Sequence, residues 1–95
     1  LTCDANTGSL PFFYYYLFGT RELHSWLYRF DATVSLKSDG IITGDHYSIN
    51  GMPVNTNQPV MDFAFHAKGT HTIGLFVTDD LKHNSDTVYK TLTIQ

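Results

Sequence analysis

The stretch His71-Thr72-Ile73-Gly74-Leu75-Phe76-Val77-Thr78 decides the fold class. Ile73, Leu75 and Val77 alternate with Thr72, Gly74 and Thr78, so one face is aliphatic and the other is small and hydroxylic. A period of two marks a half-buried strand, because successive side chains of a strand leave on opposite sides. Lys68-Gly69 ahead of it is a turn, and Asp79–Asp86 behind it reads as a polar loop. The same alternation runs through Trp26–Val34, where Trp26, Tyr28, Phe30, Ala32 and Val34 share one face and Arg29, Asp31 and Thr33 lie opposite. Lys37-Ser38-Asp39-Gly40 then turns the chain.

Ile41–Ile49 reads as a strand that ends at Asn50-Gly51, a pair suited to a two-residue hairpin because both residues tolerate positive φ. Met52–Pro59 is a loop or one short edge strand. Val60–Phe65 puts Met61, Phe63 and Phe65 on one side, and Thr87–Ile94 closes the chain with Val88, Leu92 and Ile94 inward. Lys90 falls on that inward face, which predicts a bulge or an edge position there. No apolar spacing of 3.6 residues persists over ten positions, so helices are limited to single turns. About seven short strands parted by turns make an all-β, antiparallel sandwich. The expected core is Phe30, Ile49, Phe63, Ile73, Leu75, Val77 and Leu92.

Composition agrees. Val, Ile, Thr, Phe, Tyr and Trp together are twice as numerous as Ala, Glu, Leu and Lys, and Glu22 is the sole glutamate. Ninety-five residues hold one core. Net charge −3 leaves no electrostatic footprint for nucleic acid. No apolar run reaches the roughly 20 residues of a membrane-spanning helix, so no membrane insertion is expected. Cys3 is the only cysteine, which excludes an intrachain disulfide framework and a zinc ribbon. The chain starts at Leu1 without a methionine or signal peptide, as a processed chain or a fragment does. Few lysines and many threonines and aromatics lean toward an extracellular, cell-surface or virion setting.

Residues 24–95 resemble the PKD domain, an immunoglobulin-like sandwich. The matching segments are Phe30-Asp31-Ala32 with Ser35, then Ser38-Asp39-Gly40-Ile41-Ile42, similar to the family's "FDAS…S…DG.I". Tyr47-Ser48-Ile49-Asn50-Gly51 stands where the family has a Trp-containing strand and a glycine turn. The nearest match is Phe65 to Asp79, similar to "F…GTYTVTLTVTD", and Thr87–Ile94 resembles the closing strand. Tyr47 in place of Trp and His71 in place of Tyr are departures, expected to keep the fold and cost a surface aromatic. The resemblance implies a spacer or interaction module attached to enzymes, adhesins or surface layers, more than an activity. The division it implies is an N-terminal arm with an aromatic strand, residues 1–23, followed by the sandwich, residues 24–95. The sandwich is then expected to fold without residues 1–18.

Catalytic chemistry is not expected. There is no G-x-S-x-G elbow, only one glutamate, and the aspartates sit mainly in turns. His24, His46, His66, His71 and His83 show no zinc-type spacing. Asp31, Asp39, Asp79 and Asp80 lie beside strand ends that a sandwich can bring to one pole; they are turn carboxylates or, as the alternative, oxygen ligands for Ca²⁺. No other cofactor is expected.

Phe12-Phe13-Tyr14-Tyr15-Tyr16-Leu17-Phe18 is the least ordinary segment, aromatic on both faces and without a charge. Alternation sends Phe12, Tyr14, Tyr16 and Phe18 one way and Phe13, Tyr15 and Leu17 the other. Two placements stay open. Either this is a first strand packed in the sandwich with tyrosine hydroxyls at its rim, or it is an arm covered by a neighbouring subunit or domain. Phe76, outward among Thr and Gly, is a second candidate contact. The functional expectation is a non-catalytic structural or interaction module that packs against protein partners of the same assembly. The alternative is a carbohydrate-binding module in which Tyr14, Tyr15, Tyr16, Trp26 or Tyr89 stacks on sugar faces.

Overall fold

The computed structural model describes residues 9–19, 25–37, 41–54 and 57–95. These contain nine strands and no helix: β1 (Ser9–Leu10), β2 (Tyr14–Gly19), β3 (Trp26–Asp31), β4 (Leu36–Lys37), β5 (Ile42–Ile49), β6 (Met52–Pro53), β7 (Val60–Phe65), β8 (Gly69–Asp79) and β9 (Val88–Ile94). One sheet has the order β2-β3-β7 and the other β6-β5-β8-β9, while β1 and β4 form a separate two-stranded ladder. Every pairing is antiparallel. The all-β sandwich therefore stands as expected, and its central strand β8 is the segment whose alternation is cleanest.

Ile73, Leu75 and Val77 are fully buried, with Tyr47, Ile49, Leu92 and Ile94 of the same sheet facing Phe30, Met61 and Phe65 of the other. Phe63 departs from expectation: it is half-buried at the rim, tilted against Phe65 with ring centroids 4.9 Å apart. Val34 is also outside the core, because β3 ends at Asp31 and the chain turns before reaching it. Tyr47 does not take a surface position. Its ring is buried edge-on to Phe13 at 5.8 Å, and its hydroxyl donates to the Pro59 carbonyl at 2.8 Å. That bond satisfies the one polar group a buried tyrosine brings with it.

Asn50 and Gly51 have φ of 52° and 84°, the left-handed pair that a two-residue hairpin requires. Asn50 Oδ1 accepts from the Thr72 amide at 2.8 Å, tying the turn to β8. Met52–Pro53 forms the short edge strand that was one of its two readings. Lys90 resolves its conflict through the edge position: β9 is terminal in its sheet, and the Lys90 ammonium lies 4.3 Å from the Phe12 ring centroid and 5.3 Å from that of Phe13. A cation over ring faces keeps its charge at the rim while its methylenes cover the core.

The division at residues 23 and 24 does not separate the aromatic strand from the sandwich. β2 is hydrogen-bonded to β3 along its length, and Phe13 is one of the largest fully buried side chains. Removal of the first 18 residues would take away the Phe13 core ring and all of β2 but Gly19.

Candidate functional site

Pro11 has no amide hydrogen to donate, so the β1–β4 ladder stops before it, and a different ladder, with β3, begins at Tyr14. Ser35 holds the intervening kink, accepting from the Phe12 amide and donating to the Phe12 carbonyl, both at 3.0 Å. The kink turns Phe13 into the core. Beyond it the alternation holds for the first residues. Tyr15 packs inward against Phe30, with centroids 5.9 Å apart, and its hydroxyl donates across the sandwich to the Thr91 carbonyl at 2.9 Å. Leu17 shares this parity yet is 51% exposed, lying where the register with β3 shifts between Leu17 and Gly19.

The opposite row stays in solvent. Phe12, Tyr14, Tyr16 and Phe18 are 48%, 42%, 44% and 48% exposed. The strand thus belongs to the sandwich, the first of the two placements, and its outward row is exposed. Phe13 and Tyr15 leave the set of candidate partner contacts, because their rings face the protein's own core. The rings of Tyr14 and Tyr16 are 20° from parallel with centroids 6.5 Å apart.

Charges fix this ridge from the neighbouring strand. The Tyr14 hydroxyl donates to Asp31 Oδ2 at 2.9 Å, which raises the phenol pKa above its ordinary value. Asp31 Oδ1 accepts from the Thr33 hydroxyl and amide, and these bonds hold the Asp31 carboxyl below the usual carboxylate range. Arg29 donates twice to Asp62, at 2.7 and 3.0 Å, and its guanidinium lies 3.9 Å from the Phe18 ring centroid. The Arg29 and Asp62 pair is directly cross-strand in register. Its signal in the sequence is that both residues fall on the outward parity of their strands.

The other candidates lie elsewhere. Phe76 is on the outer face of the second sheet, half-covered by His46 at 4.6 Å between centroids. Tyr89 is exposed on the same face, its ring over Gly74, where an added Cβ would come within 3.0 Å of it. Trp26 is half-buried on the inward parity. Asp79 is buried, and its Oδ1 accepts from the amides of Leu81 and His83, so it works as a turn carboxylate; so does Asp31. Asp80 is exposed in the turn after β8, and Asp39 lies outside the described residues. Among the described residues, no three His, Cys, Asp or Glu side chains come together as a metal site requires.

Sequence reasoning missed Asp45. It is 6% exposed, and burial pushes its carboxyl up to about 6. The signal was present, since Asp45 shares the inward parity of Tyr47 and Ile49 on β5.

No family profile matches the chain. No curated protein matches it either. Among solved structures, the chain is similar to the fibronectin(III)-like modules of Clostridium thermocellum CbhA, with 16% identity and a TM-score of 0.54 over 86% of this chain and 97% of that one. At that identity the likeness establishes the fold alone: the chain is an immunoglobulin-like β-sandwich.

Proposed function

We propose that the chain is a non-catalytic interaction module, one bead of a surface, fibre or virion protein, and that it packs through β2 against a second copy in the same assembly. The observation that carries this reading is the exposed aromatic row on an edge strand with no charged residue. Edge strands are ordinarily guarded by charges, prolines or brevity, because their free amides and carbonyls template further pairing. An added antiparallel strand supplies partners for the free side of β2 and covers rings whose exposure forfeits roughly 25 cal/mol per Å² of apolar area. Charge order favours a like partner. Asp31 marks the Tyr14 end of the ridge and Arg29 the Phe18 end, so a two-fold pairing about Tyr16 sets unlike charges side by side. The PKD-like motifs of residues 24–95 support kinship with that branch of the fold, whose members are mostly spacers and contact modules of extracellular proteins.

Sedimentation velocity from micromolar to millimolar concentration tests the reading. The full chain should associate, Tyr16→Lys should be monomeric, and Tyr89→Lys on the opposite sheet should behave as the parent. A chain that is monomeric throughout overturns it.

One observation favours a carbohydrate-binding module as the second reading: Tyr14 and Tyr16 are exposed, near-parallel and flanked by charged hydrogen-bonding groups. Retention on insoluble polysaccharide that Tyr14→Ala abolishes, in a chain that sediments as a monomer, would support it over the first.

A further inference from the structure

A recess of about 280 Å³ opens on the protein surface, lined by Ala32, Thr33, Ser35, Ile42, Asp45 and Pro59. Asp45 stands opposite Val77 on the inward side of β5 and is 94% buried by the exposure given above. Its amide donates to the Asn57 carbonyl at 3.3 Å, but among the described residues its carboxylate receives no hydrogen bond and no ion pair. Buried polar groups nearly always have a partner, and a charged one without a partner is costly.

The surrounding donors are already committed. The Thr33 hydroxyl and amide both donate to Asp31, and the Ser35 hydroxyl donates to the Phe12 carbonyl. The Ala32 amide and the Tyr47 hydroxyl both donate to the Pro59 carbonyl. Among the described residues, no basic side chain lines the recess. What it offers is a carboxylate and hydroxyl oxygens with lone pairs, ringed by the apolar surfaces of Ala32, Ile42 and Pro59. Among the described residues the site has acceptors, no spare donors and one negative charge, which is complementary to a donor-rich cation on a short apolar stem.

We infer that this recess is a binding site for an alkylammonium group, carried by a lysine side chain of another protein or by a free amine of similar shape. Three N–H donors match the carboxylate and the hydroxyl oxygens, and the methylenes lie on the apolar wall. The size fits, falling just below the range of drug-sized ligand pockets. A calcium ion is a poorer match, since it takes six to eight oxygen ligands and the recess holds one carboxylate. The inference stands independently of the β2 contact.

The test follows the ¹³C shift of the Asp45 carboxyl at neutral pH during titration with n-butylammonium chloride. Tetramethylammonium chloride at equal ionic strength and calcium chloride are run beside it, and Asp45→Asn is followed by its amide shifts. Saturable binding at least tenfold tighter than that of tetramethylammonium, and absent in Asp45→Asn, is the expected result. Nα-acetyl-lysine methylamide separates the sources: binding equal to butylammonium assigns the site to a protein lysine, and exclusion assigns it to a free amine. Equal response to tetramethylammonium reduces the effect to screening and overturns the inference. Tighter binding of calcium, or no shift with any cation, overturns it as well.

Discussion

The Tyr15 hydroxyl reaches from β2 to the Thr91 carbonyl of β9, 2.9 Å away and 76 positions along the chain. That bond joins the free edges of the two sheets, with Lys90 lying over Phe12 and Phe13 beside it. It closes the sandwich on the side where β2, the strand with the exposed ridge, has β3 as its one strand partner among the described residues.

Tyr15→Phe keeps the ring against Phe30 and removes only this bond. A net intramolecular hydrogen bond contributes about 0.5–1.5 kcal/mol, so stability should fall by about 1 kcal/mol. A urea midpoint that does not move would show that water replaces the bond.

Phe13→Ala should cost about 3–5 kcal/mol and Leu75→Ala about 2–5 kcal/mol, the ranges for truncating buried aromatic and leucine side chains. Both residues are fully buried. Against a total of roughly 5–15 kcal/mol, either change takes a large share, and deletion of residues 1–18 should leave a chain without a cooperative unfolding transition. A deletion that keeps its β-type circular dichroism and melts sharply would refute the placement of Phe13.

Asp45 predicts the direction of the pH dependence. Its carboxyl titrates at about 6 when folded and at the ordinary 3.8 when unfolded. Between these values the folded state holds a proton that the unfolded state has lost, so stability falls as pH rises from about 4 to about 6 and is flat on either side. The loss should be about 1–2 kcal/mol, the gap at 1.36 kcal/mol per pH unit discounted for screening at the recess mouth. Asp45→Asn should remove that slope and be the more stable protein at neutral pH. Denaturation midpoints at pH 4 and pH 7 for the two proteins decide it, and equal slopes would exclude an unpaired carboxylate.

Gly51→Ala tests the β5–β6 hairpin. At φ 84° a Cβ is strained whatever the free space around it, so the change should cost about 1 kcal/mol. Gly19→Ala has open space and no positive φ, and should have a smaller effect in the same thermal melt.

The strands themselves were legible in the residues. The alternation of Ile73, Leu75 and Val77 determined which face of β8 is buried, because a strand has a period of two wherever it stands. Asn50-Gly51 determined a hairpin by backbone sterics alone, and the inward parity of Lys90 required either a bulge or an edge, of which the sheet order chose the edge. What tertiary structure decided depends on contacts between strands distant in sequence. Both faces of Phe12–Phe18 are aromatic, so the local pattern could not say which row finds a core; the Pro11 kink held by Ser35 and the second sheet beneath Tyr15 made that choice. Asp45 carries an inward parity in the sequence, but its isolation follows from the neighbouring donors being spent on Asp31, Phe12 and Pro59. Alternation specifies a face, whereas the partners of a polar group on that face are fixed only when the other strands arrive.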